Sequence, residues 1–128
     1  VLLVHNLLTR RGVERVALVG HSFGGAVAVG AGALLGSATA GVVALSTQVP
    51  GTEAVDRLRA PILLVHGDSD GVLPDLCSRN VYERATSARS RDLVVLPGEG
   101  HLLDGPAAAG LDEQLATFLQ AALVAESA

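Results

Sequence analysis

Residues 20–24 read Gly20-His21-Ser22-Phe23-Gly24, a serine with glycine two positions away on each side, directly after the apolar run Val16, Ala17, Leu18, Val19. Where a strand turns straight into a helix, the middle residue of such a pentapeptide is forced into a strained backbone and its hydroxyl projects from the turn. Side chains two positions either way would collide there, so Gly20 and Gly24 read as removing those collisions, and Gly25 as letting the helix approach the sheet. A serine hydroxyl is a poor nucleophile at neutral pH. It needs a base to take its proton and, behind that base, an acid to orient the ring. The oxyanion formed on attack needs donors, and the first expected is the backbone N–H of Phe23 at the positive end of the helix.

Both partners occur further along the chain. Asp68 and Asp70 follow the apolar run Ile62, Leu63, Leu64, Val65, and both compete for the acid role. Asp68 also reads as a turn-former bonding its own backbone. His101 closes Pro97-Gly98-Glu99-Gly100-His101 after the last apolar run, in a flexible turn from which its ring can swing between the serine and an acid. The order along the chain is Ser, Asp, His, and each member sits just past a hydrophobic run.

Those runs are the elements that must position the three groups. Residues 16–19, 42–45, 62–65 and 93–96 are short, β-branched and near-continuously apolar, which predicts parallel strands covered on both faces. Helical stretches alternate with them, at residues 1–11, 26–35, 52–58, 74–85 and 106–124. The fold class is therefore α/β, with about four parallel strands, helices on both faces, and the ligand site at the carboxyl ends of the strands. No repeat, linker or second domain is evident, so residues 1–128 form one domain.

Taken together, Gly-His-Ser-Phe-Gly-Gly, His-Gly-Asp-Ser-Asp-Gly-Val-Leu-Pro and Gly-Glu-Gly-His resemble the C-terminal half of an α/β-hydrolase, over essentially the whole chain. The resemblance implies Ser22 as nucleophile in an elbow of Gly20, His21 and Gly24, Asp70 as acid and His101 as base. Spacings of 48 residues from Ser22 to Asp70 and 31 from Asp70 to His101 are similar to those of lid-less, dienelactone-hydrolase-like and small esterase enzymes. The implied function is hydrolysis of carboxylic esters or thioesters through an acyl-enzyme, on a small-molecule substrate and without a cofactor or metal. Complete members of the family have further strands before the elbow, and a loop there supplies the second oxyanion donor. The chain starts at Val1 and contains no Met, which leads us to expect a piece of a longer protein. Reading residues 1–6 as the missing strand and loop, with Asn6 in the loop, competes poorly with the helical periodicity of that segment. A rival reading follows: a catalytically impaired fragment or pseudoenzyme that self-associates through an unpaired sheet edge.

Composition closes off other classes. With a net charge of −4 and 49% hydrophobic residues, the chain is neither a disordered acidic tail nor a basic nucleic-acid binder. One cysteine, Cys77, cannot form an internal disulfide; it reads as a small buried helix residue, and the expected compartment is the cytoplasm. Residues 26–45 are long and apolar enough to span a bilayer on paper. Their glycines and turn-like residues indicate a buried helix followed by a buried strand, so no membrane partner is expected. His5, His21 and His66 lie on different elements without metal-ligand spacing and read as structural, and Glu99 reads as solvated. With only Phe23, Tyr82 and Phe118 aromatic, the pocket should be aliphatic and suited to small or aliphatic acyl groups.

Overall fold

A computed structural model describes residues 1–125. Four parallel strands form one sheet in sequential order: β1 (Val16–His21), β2 (Thr39–Leu45), β3 (Ile62–Gly67) and β4 (Arg91–Leu96). Four helices accompany them: α1 (Leu2–Arg10), α2 (Phe23–Leu35), α3 (Leu76–Arg84) and α4 (Leu111–Val124).

The strand pleat divides the apolar runs between two cores. Val42, Ala44, Ile62 and Leu64 meet Val29 of α2 and Val81 of α3 on one face. Val43, Leu63 and Val65 meet Leu111, Leu115 and Phe118 of α4 on the other. Helices thus cover both faces, as the continuous apolar runs require. Each fully buried Val, Leu or Ile here contributes about 1.5–3 kcal/mol. Closeness of packing depends on small residues: a Cβ on Gly32 of α2 would lie 2.7 Å from Val42 Cγ2, and one on Gly41 of β2 would lie 2.9 Å from Ala122 Cβ of α4.

Several sequence expectations change in the structure. Only β2 and β3 are buried along their length. β1 is half-exposed, with Val19 51% accessible, and β4 opens to solvent at Arg91 and Asp92, because both strands lie at sheet edges among the described residues. Residues 2–10 are helical, as their periodicity predicts, and do not form a strand leading to a loop at Asn6; α1 buries none of its residues. The helix expected at 52–58 is a single 3₁₀ turn, Val55–Arg57. The last predicted helix divides into a 3₁₀ turn, Pro106–Ala108, and α4, with Gly110 at the junction. Residues 26–45 become most of α2, a 3₁₀ turn and β2, and no described helix is long and apolar enough to cross a membrane.

Candidate active site

Ser22 sits between the last residue of β1 and the first of α2, with φ 60° and ψ −121°. For a residue with a side chain this is a strained conformation, costing about 1–3 kcal/mol. Its N–H donates to the Leu45 carbonyl at 2.8 Å, which ties the turn to the end of β2. Gly20 is required by close approach: a Cβ there would fall 1.9 Å from the Gly24 carbonyl oxygen. The expectation for Gly24 is corrected, because a Cβ at that position would meet nothing within 4 Å. Gly24 matters as the backbone against which Gly20 packs; its own missing side chain relieves no clash. Gly25 does permit close approach, since its Cβ would lie 3.0 Å from Thr47 Cβ. Phe23 opens α2, where the first N–H groups have no partner inside the helix.

Three groups from three loops meet above the carboxyl ends of the strands. His101 Nε2 lies 2.9 Å from Ser22 Oγ, and His101 Nδ1 lies 2.7 Å from Asp70 Oδ2. Asp70 Oδ1 accepts the N–H groups of Val72 and Leu73, each at 2.8 Å. Burial pushes the Asp70 carboxyl up, but the Leu73 N–H, the His101 ring and the Val72 N–H together outweigh it and hold the group below its ordinary 3.8. The competing Asp68 lies elsewhere: its Oδ1 accepts from Gly98 N at 2.7 Å and from Ser69 Oγ at 3.0 Å. The turn-forming role expected for Asp68 is therefore corrected from a bond to its own backbone to a bridge toward the loop after β4.

The turn carrying His101 is anchored where a loose one was expected. His21 Nε2 and Ser46 Oγ donate to its backbone carbonyl at 2.7 and 2.9 Å, and the His21 ring lies 4.9 Å from the His101 ring. Because a carbonyl only accepts, these contacts make His21 Nε2 and the Ser46 hydroxyl the donors. Two stretches of chain thereby converge on one peptide group and anchor the turn that carries the imidazole above Ser22.

Sequence reasoning missed three supports. His66 is wholly buried; its Nε2 faces the Leu73 carbonyl at 2.9 Å and Asp70 Oδ2 at 3.2 Å, and its Nδ1 lies 2.7 Å from Ser78 Oγ. With two acceptors at Nε2, that nitrogen is the donor, and Nδ1 accepts the Ser78 hydroxyl. Ser46, with φ 49°, is buried at the end of β2 and holds the His101 carbonyl. Glu99 is not solvated: it is 2% exposed, and its carboxylate accepts the N–H groups of Gly105 at 3.1 Å and Ala108 at 2.7 Å. A histidine inside an otherwise apolar strand, four residues before the acid, is the one signal that pointed to such a network. Cys77 is half-buried on α3, and burial together with the Asp70 charge pushes its thiol up, away from the thiolate a nucleophile needs.

A parallel sheet covered by helices, with a serine on a strained strand-to-helix turn and an acid and a histidine on later strand ends, defines the α/β-hydrolase class. The α/β-hydrolase model described as phospholipase/carboxylesterase matches residues 2–119. The chain belongs to that phospholipase/carboxylesterase family. Among solved structures it is similar to Est1E from Butyrivibrio proteoclasticus, with a TM-score of 0.72 and 19% identity over 87% of this chain and 62% of that one. It is also similar to a predicted CIB-like hydrolase from Thermoplasma acidophilum, with a TM-score of 0.75 and 22% identity over 93% of this chain and 57% of that one. A point variant of SOBER1 from Arabidopsis thaliana gives a TM-score of 0.73 and 21% identity over 94% and 61% of the two chains. The chain thus spans about 60% of the length of these structural relatives. No curated protein matches it significantly.

Proposed function

We propose that this chain carries the acyl-transfer machinery of a serine hydrolase acting on carboxylic esters or thioesters. The observation that supports this most directly is the continuous path Ser22 Oγ, His101 Nε2, His101 Nδ1, Asp70 Oδ2, with links of 2.9 and 2.7 Å at its two hydrogen bonds. His101 takes the proton of Ser22 as Oγ attacks the acyl carbon, and Asp70 holds the ring in the tautomer whose Nε2 can accept it. The negative charge on the former carbonyl oxygen is met by the Phe23 N–H at the start of α2. As the tetrahedral intermediate collapses, the alcohol or thiol leaves with the proton from His101, and the acyl group remains on Ser22. Water then gives a proton to His101 and attacks the acyl carbon, releasing the acid and returning the proton to Ser22 Oγ.

The length comparison supports a second reading in which turnover is impaired. Among the described residues we assign one oxyanion donor, and each missing donor costs about 10²- to 10³-fold in kcat. Reaction of the purified chain with a fluorophosphonate probe, alongside hydrolysis of p-nitrophenyl acetate and butyrate, tests both readings. Labelling that disappears in Ser22→Ala is expected, with slow ester turnover. Folded protein that neither labels nor turns over ester would leave the non-catalytic remnant as the reading.

A further inference from the structure

We propose that His21 and Ser46 are positioning residues for the proposed base: together they hold the His101 backbone carbonyl so that the imidazole stays over Ser22, an inference that rests on the serine-hydrolase reading. The need for them lies in the sheet order. Ser22 follows β1, whereas the loop carrying His101 follows β4 at the opposite edge of the described sheet, so that loop must reach back across three strand spacings, about 14 Å. Asp70, reaching from the end of β3, holds the Nδ1 end of the ring at 2.7 Å, but a bond to the ring does not fix the main chain beneath it. A misplacement of about 1 Å at a reacting group costs about 10²-fold in rate, so the main chain has to be held as well.

The strand ends catch the loop one after another. Past β3, Asp68 Oδ1 accepts the Gly98 N–H at 2.7 Å and the Ser69 N–H donates to the Glu99 carbonyl at 3.0 Å. Past β2, the Ser46 hydroxyl donates to the His101 carbonyl at 2.9 Å, and at the end of β1 His21 Nε2 donates to the same oxygen at 2.7 Å. A carbonyl oxygen has two lone pairs, and these two donors occupy both. Ser46 is fully buried with φ 49°, a left-handed backbone that is costly for a residue with a Cβ and that glycine adopts freely. Glycine there would relax the turn and lose the hydroxyl that reaches His101, so strain at Ser46 is the cost of that hydroxyl.

Rates of fluorophosphonate labelling, measured beside urea midpoints on the full chain, test this. Ser46→Ala and Ser46→Gly should both label about tenfold more slowly than the parent, since both lose the hydroxyl, while Ser46→Gly unfolds at a higher urea concentration than Ser46→Ala because φ 49° suits glycine. At the exposed position 21, His21→Leu should also label about tenfold more slowly, and His21→Gln, whose amide nitrogen can stand where Nε2 does, should recover most of that loss. Ser46→Gly combined with His21→Leu leaves the carbonyl unheld and should cost about 100-fold. If the Ser46 variants do not fold, the exposed His21 pair decides by itself. A parent that does not label overturns the hydrolase reading and this role with it. A parent that labels overturns this role alone if His21→Leu and the folded Ser46 variants label as fast as it does, or if labelling rates follow the urea midpoints, with Ser46→Gly faster than Ser46→Ala.

Discussion

Ser22 and Asp70 both follow parallel strands, yet opposite means hold them. Ser22 follows the half-exposed edge strand β1, and backbone constraint positions it: φ 60°, one hydrogen bond to Leu45, and the contact between Gly20 and the Gly24 carbonyl. Asp70 follows β3, buried over its whole length, and side-chain chemistry positions it: two backbone N–H groups, His101, and buried His66 backed by Ser78. In its proposed role as nucleophile Ser22 must be reached by substrate and has few neighbours to hold it, so strain and sterics do the holding. A carboxylate that must stay charged while removed from water needs donors, and the loop after β3 supplies them.

The sharpest break in that comparison removes the proposed nucleophile. Ser22→Ala should lower ester turnover by about 10⁵- to 10⁶-fold and abolish fluorophosphonate labelling, while urea unfolding shows stability within about 0.5 kcal/mol of the parent, because alanine keeps the Cβ and with it the strain at φ 60°. At the acid, Asp70→Asn should cut kcat by about 10⁴-fold with the protein folded, since an amide favours the wrong His101 tautomer; activity within tenfold of the parent would remove Asp70 from its proposed role.

Steric control at the elbow can be separated from the mere presence of glycine. Gly20→Ala should give insoluble or inactive protein, because its Cβ has no room 1.9 Å from a backbone oxygen. Gly24→Ala should leave unfolding stability equal or raise it by about 0.5–1 kcal/mol, since the position is helical and open. Identical behaviour of the two variants in thermal melts would mean the elbow is not held by that contact.

Support of the acid by hydrogen bonds predicts a smaller loss at His66. His66→Leu should destabilise the fold by about 1–3 kcal/mol, leaving the Ser78 hydroxyl without its acceptor, and should lower kcat far less than Asp70→Asn does. The smallest effect is in acid. The folded Asp70 carboxyl titrates below its ordinary 3.8, so its contribution is present above that value and disappears as pH falls through the lower folded one. Urea midpoints measured from about pH 5 down to about pH 3 should fall more steeply for the parent than for Asp70→Asn; parallel slopes would show that the loop after β3 does not favour the charged form.

Legibility in the sequence follows the range of the physics behind each feature. The helix over residues 2–10, the four strands and the elbow were readable because periodicity and glycine sterics act over a few residues. Asp68 and Asp70 could not be separated by position alone. Both follow the same strand, and the partner that distinguishes them, His101, arrives from a loop 31 residues further on. Glu99 looked solvated beside glycines, but what buries it is the backbone of residues 105–108 folding over it. His66 read only as structural, because the loop holding Leu73 and the helix holding Ser78 close on its two ring nitrogens only in the folded chain.

By itself the sequence determined the α/β class, the order of strands and helices, and the short turns in which a serine, an acid and a histidine could stand, since those depend on local propensity and hydrophobic period. Tertiary structure alone decided which aspartate meets the histidine and what anchors the His101 carbonyl. The physical reason is that hydrogen bonds and charge interactions act across space over a few ångströms, and residues far apart in the chain come that close only when the sheet aligns the ends of its strands.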